Sequence, residues 1–103
     1  MKLWVDDIRP APEGWNWARS VNDAKHQIEW WEKYCRPWNS QGLLIDIDHD
    51  AGDFVHDGGD FIRILDWLEE TGRNYPIHLH SMNPVGVENM RRIIQRNGWE
   101  EIS

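Results

Sequence analysis

The segment Leu43-Leu44-Ile45-Asp46-Ile47-Asp48 constrains the fold more than any other part of this chain. It is the strongest strand signal in the sequence, and its continuity predicts a central place in a sheet. Lys2 to Val5 (KLWV) reads as a second strand, ending in the pair Asp6-Asp7. Trp15 to Arg19 alternates large residues with small or polar ones, as a short third strand does. Pro10 and Pro12 lie between these two strands, favouring extended chain and forbidding a helix interior. Tyr75 to Ser81 predicts another strand, and Trp99 to Ser103 a last short one.

Helix signals fall between the strands. Ser20 is a good N-cap with Asp23 following in the manner of a capping box. Ala24, Ile28, Trp31 and Cys35 then recur at helical spacing, so a helix is expected over about Val21 to Tyr34. Arg36 to Gly42 reads as a loop, and His49 to Gly59 as a loop of acids and glycines. A helix is expected from about Gly59 to Glu70, with Phe61, Ile62, Ile64, Leu65 and Leu68 turned inward. Asn83 before Pro84 marks a third helix start, with Val87, Met90, Ile93 and Ile94 as its buried stripe.

This alternation implies an α/β domain with parallel strands and right-handed crossovers, a single unit over residues 1–103. If each crossover moves the same way, all three helices lie on one face. The Pro10/Pro12 connection has room only for extended chain, so the other face lacks full helical cover. Either some of the eight Trp residues cover it, or a second copy does, and a homodimer is the expected assembly.

Charge and cysteine usage narrow the function classes. A net charge of −7 argues against general nucleic-acid binding, which needs clustered Lys and Arg. It leaves room for a phosphorylated small molecule or a nucleotide end at a local site. The sole cysteine, Cys35, rules out an internal disulfide. The N-terminus carries acids where a signal peptide needs an apolar run, and no stretch approaches membrane-spanning length. A cytoplasmic protein without a membrane segment is expected.

Sites in such sheets lie beyond the carboxyl ends of the strands. Asp6/Asp7, Asp48/His49/Asp50 and His80/Ser81 all fall there, from three separate parts of the sequence. His78 and His80 share one face of their strand, as Asp46 and Asp48 share one face of theirs. With ends aligned, Asp48 is expected beside His80, and Asp46 beside His78 as an interior structural pair. A carboxylate beside an imidazole fixes its tautomer and raises its basicity. His26 and His56 read as exposed. Ser81 and Asn83 precede a helix N-terminus, where an anion is favoured, and Arg9 is placed to contact its other side. Arg91 and Arg92 read as solvated. Ser81 lacks the glycine-flanked elbow of a hydrolase nucleophile.

The ordered set Asp6-Asp7, Asp48 and Ser81 resembles the receiver domain of response regulators, with the first receiver helix replaced by the Pro10/Pro12 segment. A closer resemblance is to cyclic-phosphate-processing receiver domains. It is carried by Val5-Asp6-Asp7-Ile8-Arg9-Pro10-Ala11-Pro12-Glu13-Gly14-Trp15, by Asp48-His49-Asp50 with Asp57-Gly58, and by His80-Ser81-Met82-Asn83-Pro84-Val85-Gly86. The resemblance implies a receiver-like, flavodoxin-like parallel sheet of about five strands with the first and last receiver helices missing. It also implies action on cyclic phosphates of nucleotides or RNA ends.

The leading expectation is therefore a phosphoesterase. His80 and His49 share acid and base roles with Asp48 and Asp50 beside them, and Ser81, Asn83 and Arg9 hold the phosphate. Asp6, Asp7 and Asp48 hold Mg²⁺ or another divalent cation. The alternatives are a non-catalytic receiver-like signalling or nucleotide-binding module, and a Trp-rich interaction domain with a vestigial pocket.

Overall fold

The computed structural model describes residues 1–36 and 42–103. Strands β1 (Lys2–Val5), β2 (Asn16–Ala18), β3 (Leu44–Ile47), β4 (Ile77–Leu79) and β5 (Glu101–Ile102) form one sheet in the order β2-β1-β3-β4-β5. Every neighbouring pair is parallel. Helices α1 (Val21–Tyr34), α2 (Ile62–Glu70) and α3 (Pro84–Asn97) connect β2 to β3, β3 to β4 and β4 to β5. These crossovers all step in one direction, so right-handed connections place the three helices on one face, where α1 packs on α2 and α2 on α3. This is the expected receiver-like arrangement, with β3 at the centre.

The strand residues divide accordingly. Leu3, Val5, Ala18, Ile45, Ile47 and Ile77 point to the helices and are fully buried against Ile28, Leu65, Met90 and their neighbours. The alternate residues form a row across the open face, in register from Trp17 through Trp4, Asp46 and His78 to Ile102. The β1-to-β2 connection steps the opposite way and so crosses that open face. Trp4 donates its indole N–H to the Arg9 carbonyl at 2.9 Å, and Trp15 packs edge-on to Trp4 with ring centres 6.2 Å apart. Tryptophan covers the open face at β1; Trp31 and Trp99 fill the core, whereas Trp30 is exposed. Trp38, in the loop expected from Arg36 to Gly42, lies outside the described residues.

Helix starts follow the local chemistry. The Ser20 hydroxyl accepts from the Asp23 N–H at 3.1 Å and donates to Asp57 Oδ2 at 2.6 Å, capping α1 and tying it to the loop before α2. Helix α2 begins later than its apolar pattern suggests, because Gly58 and Gly59 adopt φ of 109° and 95°. The Phe61 N–H then closes on the His49 carbonyl, which draws this turn against the end of β3. At the opposite end of the sheet, Arg73 forks onto Glu32 of α1, and the Tyr75 hydroxyl donates to the same carboxylate. Burial and that carboxylate push the Tyr75 phenol up to about 12. Among the described residues no helix is long and apolar enough to cross a membrane.

Ser20→Ala removes the α1 cap and the Asp57 tether together. Its expected cost is about 1–2 kcal/mol of unfolding free energy, measured by urea denaturation with no change in the slope.

Candidate functional site at the carboxyl ends of β1, β3 and β4

Asp6, Asp48 and His80 are each the first residue beyond the end of β1, β3 or β4, three adjacent strands. The ladder continues one residue further to fix them. The Asp6 N–H donates to the Ala18 carbonyl, that of Asp48 to Val5 and that of His80 to Ile47, at 3.1, 2.9 and 3.1 Å. One side-chain ligand atom from each residue lies within 4.8 Å of the other two.

Side-chain pairing departs from expectation at one point. Asp48 lies near His80 and Asp46 bonds His78, as the strand register predicts. In addition Asp46 Oδ1 takes the second imidazole, with His78 Nδ1 at 2.9 Å and His80 Nδ1 at 2.6 Å. The His80 ring lies flat on the Trp4 indole, with centres 3.9 Å apart and planes 5° from parallel. Trp4 stands directly opposite Asp46 in the sheet, so that stacking brings the imidazole within reach of Asp46. Its Nε2 then reaches Asp6 Oδ2 at 2.9 Å.

Two carboxylates facing the two nitrogens of one ring favour the imidazolium, which donates to both. Burial pulls the His80 pKa down, but its bonds to Asp46 and Asp6 outweigh this and hold it above the ordinary value. Burial also pushes the Asp6 and Asp46 carboxyls up, and is likewise outweighed. Asp6 accepts from the Ile8 and Arg9 N–H groups, both at 2.9 Å, and from His80; Asp46 accepts from His80 and His78. Both carboxyls sit below the usual range. His80 thus has no free ring nitrogen here, which sets it apart from an acid–base group waiting for substrate.

Asp7 is buried, but it is not one of the three converging residues. Burial and the charges of Asp6 and Asp48 push its carboxyl up. Its Oδ2 lies so close to Gly52 that a Cβ there would stand 2.2 Å away. The geometry brings Asp6 and Asp48 of the expected cation trio together with His80, and Asp7 lies near both without joining that group.

A second group adjoins the first through Asp48, whose Oδ1 accepts from the His49 N–H at 2.7 Å. His49 Nδ1 pairs with Asp50 Oδ1 at 2.9 Å, and among the described residues Nε2 has no partner. The His49 ring packs on Gly86 in the first turn of α3, where a Cβ would come within 2.4 Å of it. The Asn83 side chain caps α3 by accepting from the Gly86 N–H at 3.0 Å, and its Nδ2 lies 3.4 Å from Asp50 Oδ2. The Ser81 hydroxyl accepts from the Asn83 N–H at 3.1 Å. Pro84 has no N–H to offer, and among the described residues the N–H groups of Ser81, Met82 and Val85 are the donors left at this helix start.

Arg9 is exposed and, among the described residues, its side chain makes no hydrogen bond. His26 and His56 are exposed, as their positions in the sequence suggest. Arg92 is exposed, and the solvated Arg91 forks onto Glu101 at the surface. Sequence reasoning assigned Asp46 no part in the site, although its DxD spacing with Asp48 was the available signal.

A parallel sheet with helices on one face, and acids gathered at its carboxyl edge, defines a receiver-like α/β protein. The chain matches the family described as the cyclic-phosphate processing receiver domain over residues 1–96, and it belongs to that family. No curated protein and no solved structure matches it.

Two outcomes test this geometry. His80→Ala leaves the nearly inaccessible Asp6 and Asp46 without their shared cation, so a loss of about 3 kcal/mol is expected in calorimetry or denaturant unfolding. The pH profile of unfolding in EDTA checks the charges. His80 has a raised pKa, so its contribution is complete below the unfolded value of 6.5 and is lost as pH rises through the folded one. Asp6 and Asp46 are lowered, so theirs is complete above 3.8 and is lost as pH falls. The raised Asp7 runs opposite to these two, its contribution being lost as pH rises from 3.8 through its folded value. Stability should therefore peak at about pH 5 to 6 and decline towards pH 8, and His80→Gln should flatten that decline.

Proposed function

We propose that this chain is a phosphoesterase that opens a cyclic phosphate of a nucleotide or an RNA end, with His49 as the group that moves the proton. The observation that carries this reading is the His49–Asp50 pair. Asp50 holds Nδ1, Nε2 is unpartnered among the described residues, and the residue before His49, Asp48, belongs to the converging carboxylates. A carboxylate on one imidazole nitrogen fixes the tautomer that presents the other nitrogen as a base. Packing on Gly86 holds the ring beside the first turn of α3, where the N–H groups of Ser81, Met82 and Val85 have no backbone acceptor among the described residues and would serve a phosphate oxygen. Asn83, already a cap, adds its Nδ2 hydrogens on the Asp50 side.

Ring opening needs one proton removed and one supplied. His49 Nε2 takes the proton of the attacking water as its oxygen forms the new bond to phosphorus. The same nitrogen returns that proton to the ribose oxygen as the old P–O bond breaks, leaving a monoester and a neutral imidazole. Two carboxylates and an imidazole within 4.8 Å fit a divalent cation, and Asp46 on His80 Nδ1 is the usual support for a histidine that ligates through Nε2. Bound at Asp6, Asp48 and His80, Mg²⁺ or a similar ion would neutralise and polarise the phosphate. In this reading His80 is not the acid–base group: it is a structural cation without the ion, and would become a ligand only by giving up its Nε2 proton and its bond to Asp6 as the ion binds.

The test is incubation of the full chain with 2′,3′-cyclic and 3′,5′-cyclic nucleotides in Mg²⁺, Mn²⁺ or EDTA, with chromatographic detection of the monoester. Cation-dependent product is expected, with His49→Ala slowing turnover at least about 100-fold and Asp50→Asn about tenfold. Binding without product would favour a sensor in place of an enzyme, and wild-type turnover by His49→Ala would reject the assignment of His49.

A further inference from the structure

Three consecutive residues at the end of β2 hold the backbone of Asp6 and Asp7. The Trp17 indole Nε1–H donates to the Asp6 carbonyl at 2.8 Å. The Ala18 carbonyl accepts from the Asp6 N–H at 3.1 Å. Arg19 donates Nε–H and Nη2–H to the Asp7 carbonyl at 3.1 and 2.8 Å. Its guanidinium lies 4.8 Å from the ring centres of both Trp17 and Phe54. Phe54 ends the short 3-10 turn that begins at Gly52, the residue pressed against the Asp7 carboxylate.

This use of an arginine is unusual in a chain with 18 acids. The forked guanidinium matches a carboxylate, and Arg73, Arg91 and Arg96 are all spent in that way. Arg19 instead places two donors on one backbone carbonyl and pairs with neither the Asp6 nor the Asp7 carboxylate. A charge-assisted pair of bonds to a carbonyl, stacked on aromatic rings, resists rotation of the peptide that follows it. That peptide leads into Ile8 and Arg9, whose N–H groups aim the Asp6 carboxylate through its Oδ1.

The geometry points to Arg19 as a positioning residue for the acid pair. It locks the Asp6-Asp7 turn so that Asp6 Oδ2 meets His80 and stands beside Asp48. Only the cation measurement below rests on the proposed function; the backbone measurement does not.

Arg19 is at the surface, so its replacement leaves the core unchanged. The experiment uses the full chain as Arg19→Met, which keeps the stem, and as Arg19→Lys, which keeps the charge but not the fork. Arg96→Met, which removes a surface fork between the last turns of α2 and α3, is the control. Hydrogen exchange of the Ile8 and Arg9 amides is followed by NMR, and Mn²⁺ affinity by calorimetry. Arg19→Met should speed exchange at those two amides about tenfold while Met90 and Ile94 stay unchanged, and should weaken Mn²⁺ binding by a similar factor. Arg19→Lys should recover part of both, and Arg96→Met should alter neither. Unchanged exchange at Ile8 and Arg9, or an equal rise at every amide, overturns the inference. A wild-type chain that binds no Mn²⁺ rejects the cation site instead, and the exchange result alone then decides the role of Arg19.

Discussion

The site depends on one imidazolium, that of His80, held between Asp46 and Asp6 and laid flat on Trp4. Two buried carboxylates this close to one another would be costly without a shared positive charge. His80 supplies that charge, and the Trp4 face adds favourable electrostatics to one side of the ring. Removing any one of the four changes what the others can do. Without Trp4 the ring loses its platform, and without Asp46 the imidazolium loses the carboxylate at its Nδ1. Without His80, Asp6 keeps only its two backbone donors.

This arrangement requires an open sheet face. Trp4, Asp46 and His78 point away from the helices, and a continuous helical layer over them would call for apolar residues at the same positions. The extended segment through Pro10 and Pro12 allows the exception. It brings Trp15 and the Arg9 carbonyl onto Trp4, covering β1 without a helix, and leaves the half-buried polar row beyond β1 to satisfy its own hydrogen bonds. The short connection and the buried charges are two sides of one solution.

Most of the scaffold was legible in the sequence. Helix α1 begins and ends where Ser20 and the apolar spacing place it, and α3 begins at Asn83-Pro84 as its cap chemistry dictates. The gathering of Asp6, Asp48 and His80 also follows from topology, since each ends a strand of a parallel sheet. What could not be read were contacts that depend on tertiary placement. The double role of Asp46 needs the His80 ring to settle on Trp4, which strand alternation does not specify. The Trp17 and Arg19 bonds need β2 to lie beside β1, and the seat of His49 needs the approach of Gly86 in α3. The start of α2 was displaced by two glycines at positive φ, a backbone choice that overrode an apolar helical pattern.

Charge explains why these two histidines cannot have interchangeable roles. Asp6, Asp46, Asp48 and Asp50 surround the strand ends, and His80 answers them with a single positive charge already shared by two of them. Arg19 is spent on a backbone carbonyl, and Arg9 extends into solvent. A phosphate approaching this edge therefore meets an excess of negative charge, consistent with a chain of net charge −7. With no cation bound, moving a proton from His80 would deepen that excess and break its bond to Asp6. Moving one on His49 disturbs only Asp50, which is exposed and well solvated. In the proposed reaction the imidazole that changes its charge is thus the one at the margin of the cluster, and the one at its centre serves by holding Asp6 and Asp46.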